Sequence, residues 1–415
     1  MNTLLILALA QALTFNEALT RVTAQSTAVK EARLTEESAK YQNDHSRYVY
    51  APGVNAFGRV KRSGDDVENS RMSESRSVGV GAEMNLYHFG ADGARIDQAE
   101  ATYQAATYNR EATAKGAEGE AARALFDLIE ALETRRVVEG ILAIQQDNLK
   151  VIRRLYERGA RPAQHTEKVE IDTANAAARL TDAEINIEAA RSALFSLSGE
   201  AIDVKAEWPW RERLLKDDGS VAGKVQGVDL AERPDRQALA ARVAALDAGL
   251  ASARSKYLPS LDLSADYSLV QPTRPEPVDR FTQWSGALTL SVPLFDGFSA
   301  RGAYQEQAKA KQIAELHLAA KDRALRAELD QVQAAFAAAL KSAKSREVAL
   351  KSAKTLYEHS LKGFRSGVLS ANDLILDQGR VFDTELNALK GWSAVHRYLA
   401  RLCRVSGRAL TECAQ

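Results

Sequence analysis

Few residues in this chain would interrupt a helix. There are 9 prolines and 24 glycines among its 415 residues, and they cluster, so long stretches contain neither. Alanine is very frequent, and together with Glu, Lys, Arg, Leu and Gln it makes up more than half of the chain. This composition favours long helices. The chain is long enough for two or three ordinary domains.

A surplus of charge is also missing. The 55 Lys and Arg residues balance the 55 Asp and Glu residues. Nucleic-acid-binding proteins normally carry a basic face, so the composition gives no support to a nucleic-acid partner. Most charged residues recur at spacings of three or four among residues of opposite sign, which is typical of the solvated faces of helices.

Long apolar runs are scarce as well. Past the N-terminus, no uninterrupted apolar stretch approaches the ~18 residues that a transmembrane helix needs. Residues 1–10 end in Ala8-Leu9-Ala10 before Gln11, which is typical of a short secretory signal peptide, here without the usual basic beginning. The alternative is that these residues form an apolar start to the first helix.

Motifs that would indicate an enzyme are not found. The six histidines form neither HxH nor HExxH, so a zinc site has no support, and no GxSxG or phosphate loop is present. The two cysteines, Cys403 and Cys413, are not spaced as CxxC. A disulfide between them would suit an exported protein, and two unrelated thiols are an equal alternative. We therefore predict no catalytic residue, metal ligand or cofactor.

The sequence does contain an internal repeat. At one constant offset, three short segments of the first half match three segments of the second. They are 86–90 with 294–298, 156–159 with 364–367, and 198–199 with 406–407. Such a repeat predicts two copies of one structural unit. We assign the first repeat to 11–199 and the second to 229–407, joined by a linker at 200–228 and followed by a tail at 408–415.

Each repeat is predicted to contain the same elements in the same order: a helix, two strands, a very long helix, a break with a glycine, and a final helix. In the first repeat the helices cover about 15–48, 92–157 and 163–197, and the strands about 52–62 and 77–88. In the second repeat the helices cover about 231–256, 300–364 and 371–405, and the strands about 258–270 and 282–294. At ~1.5 Å per residue, each long helix would extend for about 100 Å.

The predicted strands alternate between apolar and polar residues. In the third strand the apolar members are Leu261, Leu263, Ala265, Tyr267 and Leu269. Alternation indicates a strand with one buried face, and strands of ~10 residues suit a bilayer crossing with the polar face towards a wet lumen. A soluble sandwich also alternates, but two hairpins alone bury little.

Aromatic residues gather near the strand ends, as at a membrane interface; ordinary packing is the alternative. They are Tyr87, Phe89, Phe281, Trp284, Phe295 and Phe298. The long helices carry apolar residues at spacings of three and four, such as Val138, Leu142, Leu149, Ile152 and Tyr156. This spacing indicates a coiled-coil seam. A filamentous coiled coil would share the seam but would not carry four strands.

Three segments carry a resemblance to a known family. Ser291-Val292-Pro293-Leu294-Phe295-Asp296-Gly297 ends a strand pair, and Arg233-Pro234-Asp235 begins the second repeat. The third is the segment 363–374 with its counterpart Arg158-Gly159-Ala160. In their order and doubled spacing, these segments resemble the TolC-type outer-membrane factors, the outer membrane efflux protein family. The resemblance spans nearly the whole chain.

The resemblance implies an assembly. Three chains with four strands each would form one twelve-stranded β-barrel in the outer membrane, continued by their helices as a periplasmic α-helical tunnel. The linker 200–228 would lie outside the tunnel at its equator, together with the C-terminus. Outer-membrane lipid, a periplasmic adaptor protein and an inner-membrane transporter would be the partners, and the adaptor and the transporter would contact the end with the helix turns.

The resemblance also implies where functional residues lie. The tunnel would narrow at the helix turns, where Asp373 and Asp377 are candidates for carboxylate rings that attract cations. Leu376, not Asp377, occupies the family's usual second position, and both aspartates would also fit an ordinary solvated helix. Further candidates for the constriction are Phe364, Tyr156 and Arg161. Candidates for adaptor docking are Arg158, Gly159, Ala160, Ser366 and Gly367, of which the two glycines suit a chain reversal.

The function that follows is a passive outer-membrane export channel, not an enzyme. Members of the family serve drug efflux, metal efflux and protein secretion, and the sequence does not select among these. A periplasmic coiled-coil scaffold without transport activity is the alternative, and a soluble enzyme with helical arms is a weaker one. The four alternating strands favour the channel, because a scaffold has no use for lipid-facing apolar stripes.

Overall fold

The structure is a computed structural model that describes residues 12–63, 73–158, 163–216, 229–274, 279–366, 368–410 and 413. The first repeat contains α1 (Phe15–Gln25), α2 (Thr27–Ser46), β1 (Gly53–Ser63), β2 (Ser73–Tyr87), α3 (Ala91–Glu157) and α4 (Ala163–Ser198). A short helix α5 (Arg211–Lys216) lies in the linker. The second repeat contains α6 (Pro234–Ser255), β3 (Ser260–Arg274), β4 (Phe281–Ser291), α7 (Ser299–Arg365) and α8 (Ala371–Ser406).

The predicted fold class is confirmed: the chain is mostly helical, with a two-fold repeat and one four-stranded sheet. The two long helices, α3 and α7, have 67 residues each. The domain boundaries remain a prediction, and the candidate signal peptide at 1–10 lies outside the described residues.

The first helix differs from its prediction. The sequence predicts one helix over 15–48, but the chain breaks at Ser26, where ψ is 126° and α1 ends. A serine can end a helix because its side chain competes for backbone hydrogen bonds. At its other end α1 begins with a capping box, in which Thr14 and Glu17 each accept a hydrogen bond from the other's backbone N–H.

The four strands form one antiparallel sheet in the order β1-β2-β3-β4. Paired residues point to the same face, so the register assembles an apolar face from all four strands. It runs through Ala56, Val80, Tyr267 and Trp284, which are consecutive partners across the sheet. The opposite face is mostly polar, and Gly81 lies on it beside Asp266 and under the ring of Phe57.

The strands also differ from the prediction at their ends. β3 continues to Arg274 instead of ending near 270, although Pro272 cannot donate a backbone hydrogen bond. The pairing shifts by one residue beside it, between Glu74 and Ser75 of β2. β4 ends at Ser291 rather than near 294, two residues before Pro293.

The chain divides into two compact units. The first contains 1–33, 110–234 and 321–415, and the second contains 34–109 and 235–320. The first unit holds the large buried cluster of the described residues, which includes Phe126, Phe336 and Trp392. The second unit holds the sheet.

Candidate functional site

The turn between α7 and α8 is closed by the carbonyl of Gly363. This oxygen accepts hydrogen bonds from the backbone N–H groups of Val368 at 2.9 Å and Leu369 at 3.2 Å, and from the hydroxyl of Ser366 at 3.0 Å. A Cβ atom at Gly363 would lie 2.7 Å from Cδ1 of Leu369, so a larger residue there would displace the Leu369 side chain. Gly367 lies outside the described residues.

Asp373 caps the beginning of α8. Its carboxylate accepts a hydrogen bond from the Ser370 hydroxyl at 2.7 Å, and the hydroxyl in turn accepts one from the backbone N–H of Asp373. An acidic side chain in the first turn also interacts favourably with the helix dipole. The cap holds Asp373 in a fixed position while the residue stays exposed.

Asp377, one turn further along α8, is held differently. One carboxylate oxygen accepts a hydrogen bond from the Ser360 hydroxyl of α7 at 2.6 Å, and the other forms an ion pair with Arg380 at 2.9 Å. The side chain of Asp377 is 13% exposed. Asp377 therefore links α7 to α8, whereas Asp373 presents its charge to solvent.

The remaining candidates at this end are partly outside the described residues. The side chains of Tyr156 and Phe364 are 48% and 42% exposed near the ends of α3 and α7. Arg158 is exposed and its backbone N–H bonds to Arg154. Gly159, Ala160 and Arg161 are not among the described residues.

A second feature, which was not predicted from the sequence, is a group of packed rings that we call the aromatic core. It consists of Phe15, Phe126, Trp208, Trp210, Trp392 and His396. Phe15 stacks on Phe126 with ring centroids 4.7 Å apart, and Trp208 lies 4.9 Å from the His396 ring. The segment Trp208-Pro209-Trp210 thus fixes the linker to α3 and α8. The paired tryptophans were the available signal.

Two ionisable groups, His396 within this core and Glu347 beside it, have shifted pKa values. Burial lowers the pKa of His396, whose two ring nitrogens face the carbonyls of Trp392 and Pro209. Burial would raise the pKa of Glu347, but hydrogen bonds from the Trp392 indole and from Arg211 hold it below its ordinary value. The described contacts give both groups a structural role.

The alternatives left open for the cysteines are resolved by a disulfide. Cys403, near the end of α8, is bonded to Cys413, with their Cα atoms 5.7 Å apart. Both residues are buried in the cluster that contains the aromatic core. The bond holds Cys413 against the end of α8, where Gly407 ends that helix with a φ of 73°.

The described residues contain neither a metal-binding group of side chains nor a membrane-spanning helix. No group of three or more His, Cys, Asp and Glu side chains in this part of the chain could hold a metal ion. Among the same residues, no helix combines the length and the hydropathy that a membrane span requires.

Comparison with known proteins identifies a family. The sequence profile described as "Outer membrane efflux protein" matches residues 18–200 and 228–408, most of both repeats. No curated protein matches the chain significantly.

Solved structures share the fold. A membrane protein from Pseudomonas aeruginosa matches with a TM-score of 0.78 and 20% identity, covering 94% of this chain and 93% of its own. The Campylobacter jejuni CmeC outer membrane channel matches with a TM-score of 0.79 and 13% identity, over 95% and 85%. The open Neisseria gonorrhoeae MtrE outer membrane channel matches with a TM-score of 0.77 and 20% identity, over 95% and 89%. The chain belongs to the outer membrane efflux protein family, and it is an outer-membrane channel for efflux.

Proposed function

We propose that the chain is one protomer of a homotrimeric, passive export conduit without enzymatic activity. In this proposal an inner-membrane transporter and a periplasmic adaptor deliver the substrate, and the conduit carries it across the periplasm and the outer membrane. The observation that carries the proposal is the sheet, whose apolar face lies open to its surroundings. Trp284, Leu288 and Val78 are 79%, 63% and 70% exposed on that face.

The edges of the sheet support assembly with other copies. Within the described residues, β1 pairs only with β2, and β4 pairs only with β3. An edge strand presents unpaired N–H and C=O groups, and in a bilayer each of these must be hydrogen-bonded. Pairing of β4 of one copy with β1 of the next would satisfy both edges, and three copies would close a twelve-stranded barrel.

Fractionation and mass together test the assembly. We expect the protein in the outer-membrane fraction after a urea wash, and in detergent we expect about three times the 45.2 kDa mass of one chain. Recovery in the soluble periplasm without detergent would instead support the alternative, a periplasmic coiled-coil scaffold. If the protein is found in the outer-membrane fraction but has the mass of a monomer in detergent, the trimer is contradicted and the outer-membrane location is not.

We further propose that the helix-turn end forms the constriction and the docking surface. Asp373 is the main candidate for the carboxylate ring, because its charge is exposed and fixed by the Ser370 cap. Asp377 would contribute less, since its oxygens are bonded to Ser360 and Arg380. Tyr156, Arg161 and Phe364 would line the same constriction. Adaptor contact is proposed for Arg158, Gly159, Ala160, Ser366 and Gly367.

Single-channel recordings in planar bilayers test the constriction. Asp373→Asn should lower the ratio of cation to anion permeability, and Asp377→Asn serves as the matched control with a smaller change in this ratio. Equal effects of the two substitutions would contradict the assignment of the ring to Asp373. For docking, cross-linking from Ser366→Cys should capture the periplasmic adaptor, and cross-linking from Ser285→Cys in β4 should not.

A further inference from the structure

One face of α8 is a row of basic residues. The opposite face, with Trp392, Val395 and Leu399, is buried in the core of the first unit. The basic face follows spacings of four and three along the helix. Its basic members are Lys390, Arg397, Arg401 and Arg404, which are all exposed, and the half-buried Ala394 lies between Lys390 and Arg397.

Carboxylates hold three of these arginines in place. Arg397 forms ion pairs with Asp127 and Glu130 of α3, and Arg401 and Arg404 share Glu328 of α7, at 3.7 and 3.1 Å. The arginine side chains are 41–45% exposed, and the three carboxylate side chains are 21–39% exposed. The carboxylates therefore lie deeper than the guanidinium groups that they orient.

A groove of about 540 Å³ lies between α3 and α8 along this row. We call it the arginine groove, because its ionisable lining consists of Arg123, Arg397, Arg401 and Arg404 with Glu120 and Tyr398. The three carboxylates that pair with the arginines do not line it. Among the ion pairs of the described residues, none includes Arg123, so this arginine does not hold helices together.

We propose that the arginine groove binds anions and thereby favours the passage of anionic cargo. A guanidinium group has five N–H donors, and donors that the ion pairs leave unused can bind carboxylate, phosphate or sulfate oxygens in pairs. Guanidinium is weakly hydrated, so it gives up water readily to bind an anion. A network with a purely structural role would have no use for Arg123, an arginine in the groove without a carboxylate partner.

The location of the groove rests on the proposed function. Phe15 of α1, Val204 of the linker and Leu410 of the tail pack in the core cluster, on the buried face of α8. In the proposed trimer the linker and the tail lie outside the tunnel, so the opposite face of α8, with the arginine groove, lines the lumen. Three copies would then place twelve arginines around the path of the substrate.

Calorimetric titration of the full-length protein in detergent tests anion binding directly, with inorganic tripolyphosphate as the probe. The double substitution Arg123→Gln with Arg401→Gln should weaken binding at least tenfold. The matched control is Arg21→Gln, which removes an arginine that is ion-paired with Glu200, in α1 outside the groove; this variant should bind like the wild type. Equal binding by all three proteins, or no binding by the wild type, would overturn the proposal.

Folding of the variants is checked by their mass and their circular dichroism. If the double variant does not assemble, Arg123→Gln alone replaces it, because Arg123 has no ion pair to lose among the described residues. Arg123→Lys keeps the positive charge and should retain most of the binding. Loss of binding in the lysine variant equal to that in the glutamine variant would show that charge is not the cause, contrary to the proposal.

Reversal potentials in planar bilayers separate this inference from the proposed function. If the chain is a conduit and the groove lines it, the double variant should shift the selectivity away from anions while the conductance steps persist. If the double variant gives conductance steps with unchanged selectivity, the lumenal position of the groove is contradicted, whereas the proposed conduit is not. If the wild type binds tripolyphosphate but gives no conductance steps, the conduit is contradicted while anion binding stands.

Discussion

The aromatic core and the sheet use large apolar side chains in opposite ways. Trp392, in the core, is 1% exposed, and its indole N–H donates a hydrogen bond to Glu347 at 3.0 Å. Trp284, in the sheet, is 79% exposed and lies on a face with Val80 and Tyr267, which are also exposed. One chain thus contains a region that buries its own apolar surface and a region that does not.

The difference shows which part of the fold is complete in a single chain. The first unit supplies its own partners: stacked rings, a disulfide and carboxylates matched to arginines. The sheet of the second unit offers an apolar face and, within the described residues, two unpaired edges, so in the proposed assembly its stability depends on lipid and on other copies. Substitutions of the same type in the two regions should therefore have different consequences.

The largest difference between the two regions is expected when a tryptophan of each is replaced by alanine. Trp392→Ala should lower the free energy of unfolding of the helical part by about 3–5 kcal/mol, because it leaves a cavity in the core and removes the donor to Glu347. Trp284→Ala should change it by less than about 0.5 kcal/mol, as for other surface substitutions. Urea titration followed by far-ultraviolet circular dichroism measures both. Equal losses would contradict the contrast between the regions.

The next effect concerns the two faces of β4. Leu288→Arg places a charge on the apolar face, which should cost about 2–4 kcal/mol near the middle of a bilayer, so less protein should reach the outer membrane. Thr289→Arg, one residue along on the polar face beside Asp262, should have little effect. Immunoblots of urea-washed outer membranes measure the two levels. A loss with Thr289→Arg alone would reverse the assignment of the faces.

The disulfide should make a somewhat smaller contribution to the free energy of unfolding. Replacing Cys403 and Cys413 by alanine opens a short loop, and the chain-entropy estimate for such a loop is about 2–3 kcal/mol. The helical unfolding transition should move to lower urea, and the reduced wild type should behave like the variant. If a reductant leaves the wild-type transition unchanged, the bond does not stabilise the core.

The smallest effect is a dependence on pH. The unfolded chain binds a proton at His396 below the ordinary pKa of 6.5, whereas burial lowers the pKa of this residue in the folded protein. His396 therefore contributes stability above pH 6.5 that is lost as the pH falls towards the folded value. Between pH 8 and pH 5 the wild-type urea midpoint should fall, and that of His396→Gln should fall less. Identical slopes would assign the dependence to other groups.

Much of the fold could be predicted from the sequence, because buried apolar residues recur with the period of the helix or strand that contains them. The strands were visible from alternation such as Leu261, Leu263 and Ala265, and the long helices from spacings of three and four. The break at Ser26 and the extension of β3 past Pro272 were not visible. In the strand, the pairing with β2 outweighs the local preference of proline against strands.

The sites were less accessible to sequence analysis because their positions depend on the fold. The spacing of Arg397, Arg401 and Arg404 is regular in the sequence, but only the core on the other side of α8 shows that this face is open. The different environments of Asp373 and Asp377 depend on Ser360 and Ser370. Their roles at a constriction remain predictions.

The two sheet edges that have no partner strand among the described residues have a genetic consequence. Since β4 and β1 are different surfaces, each copy in a closed ring would touch two others, and one chain with a damaged edge would leave the whole ring open. Such an allele should be dominant negative: expressed in equal amounts with the wild type, it would leave roughly one in eight threefold rings free of defective chains.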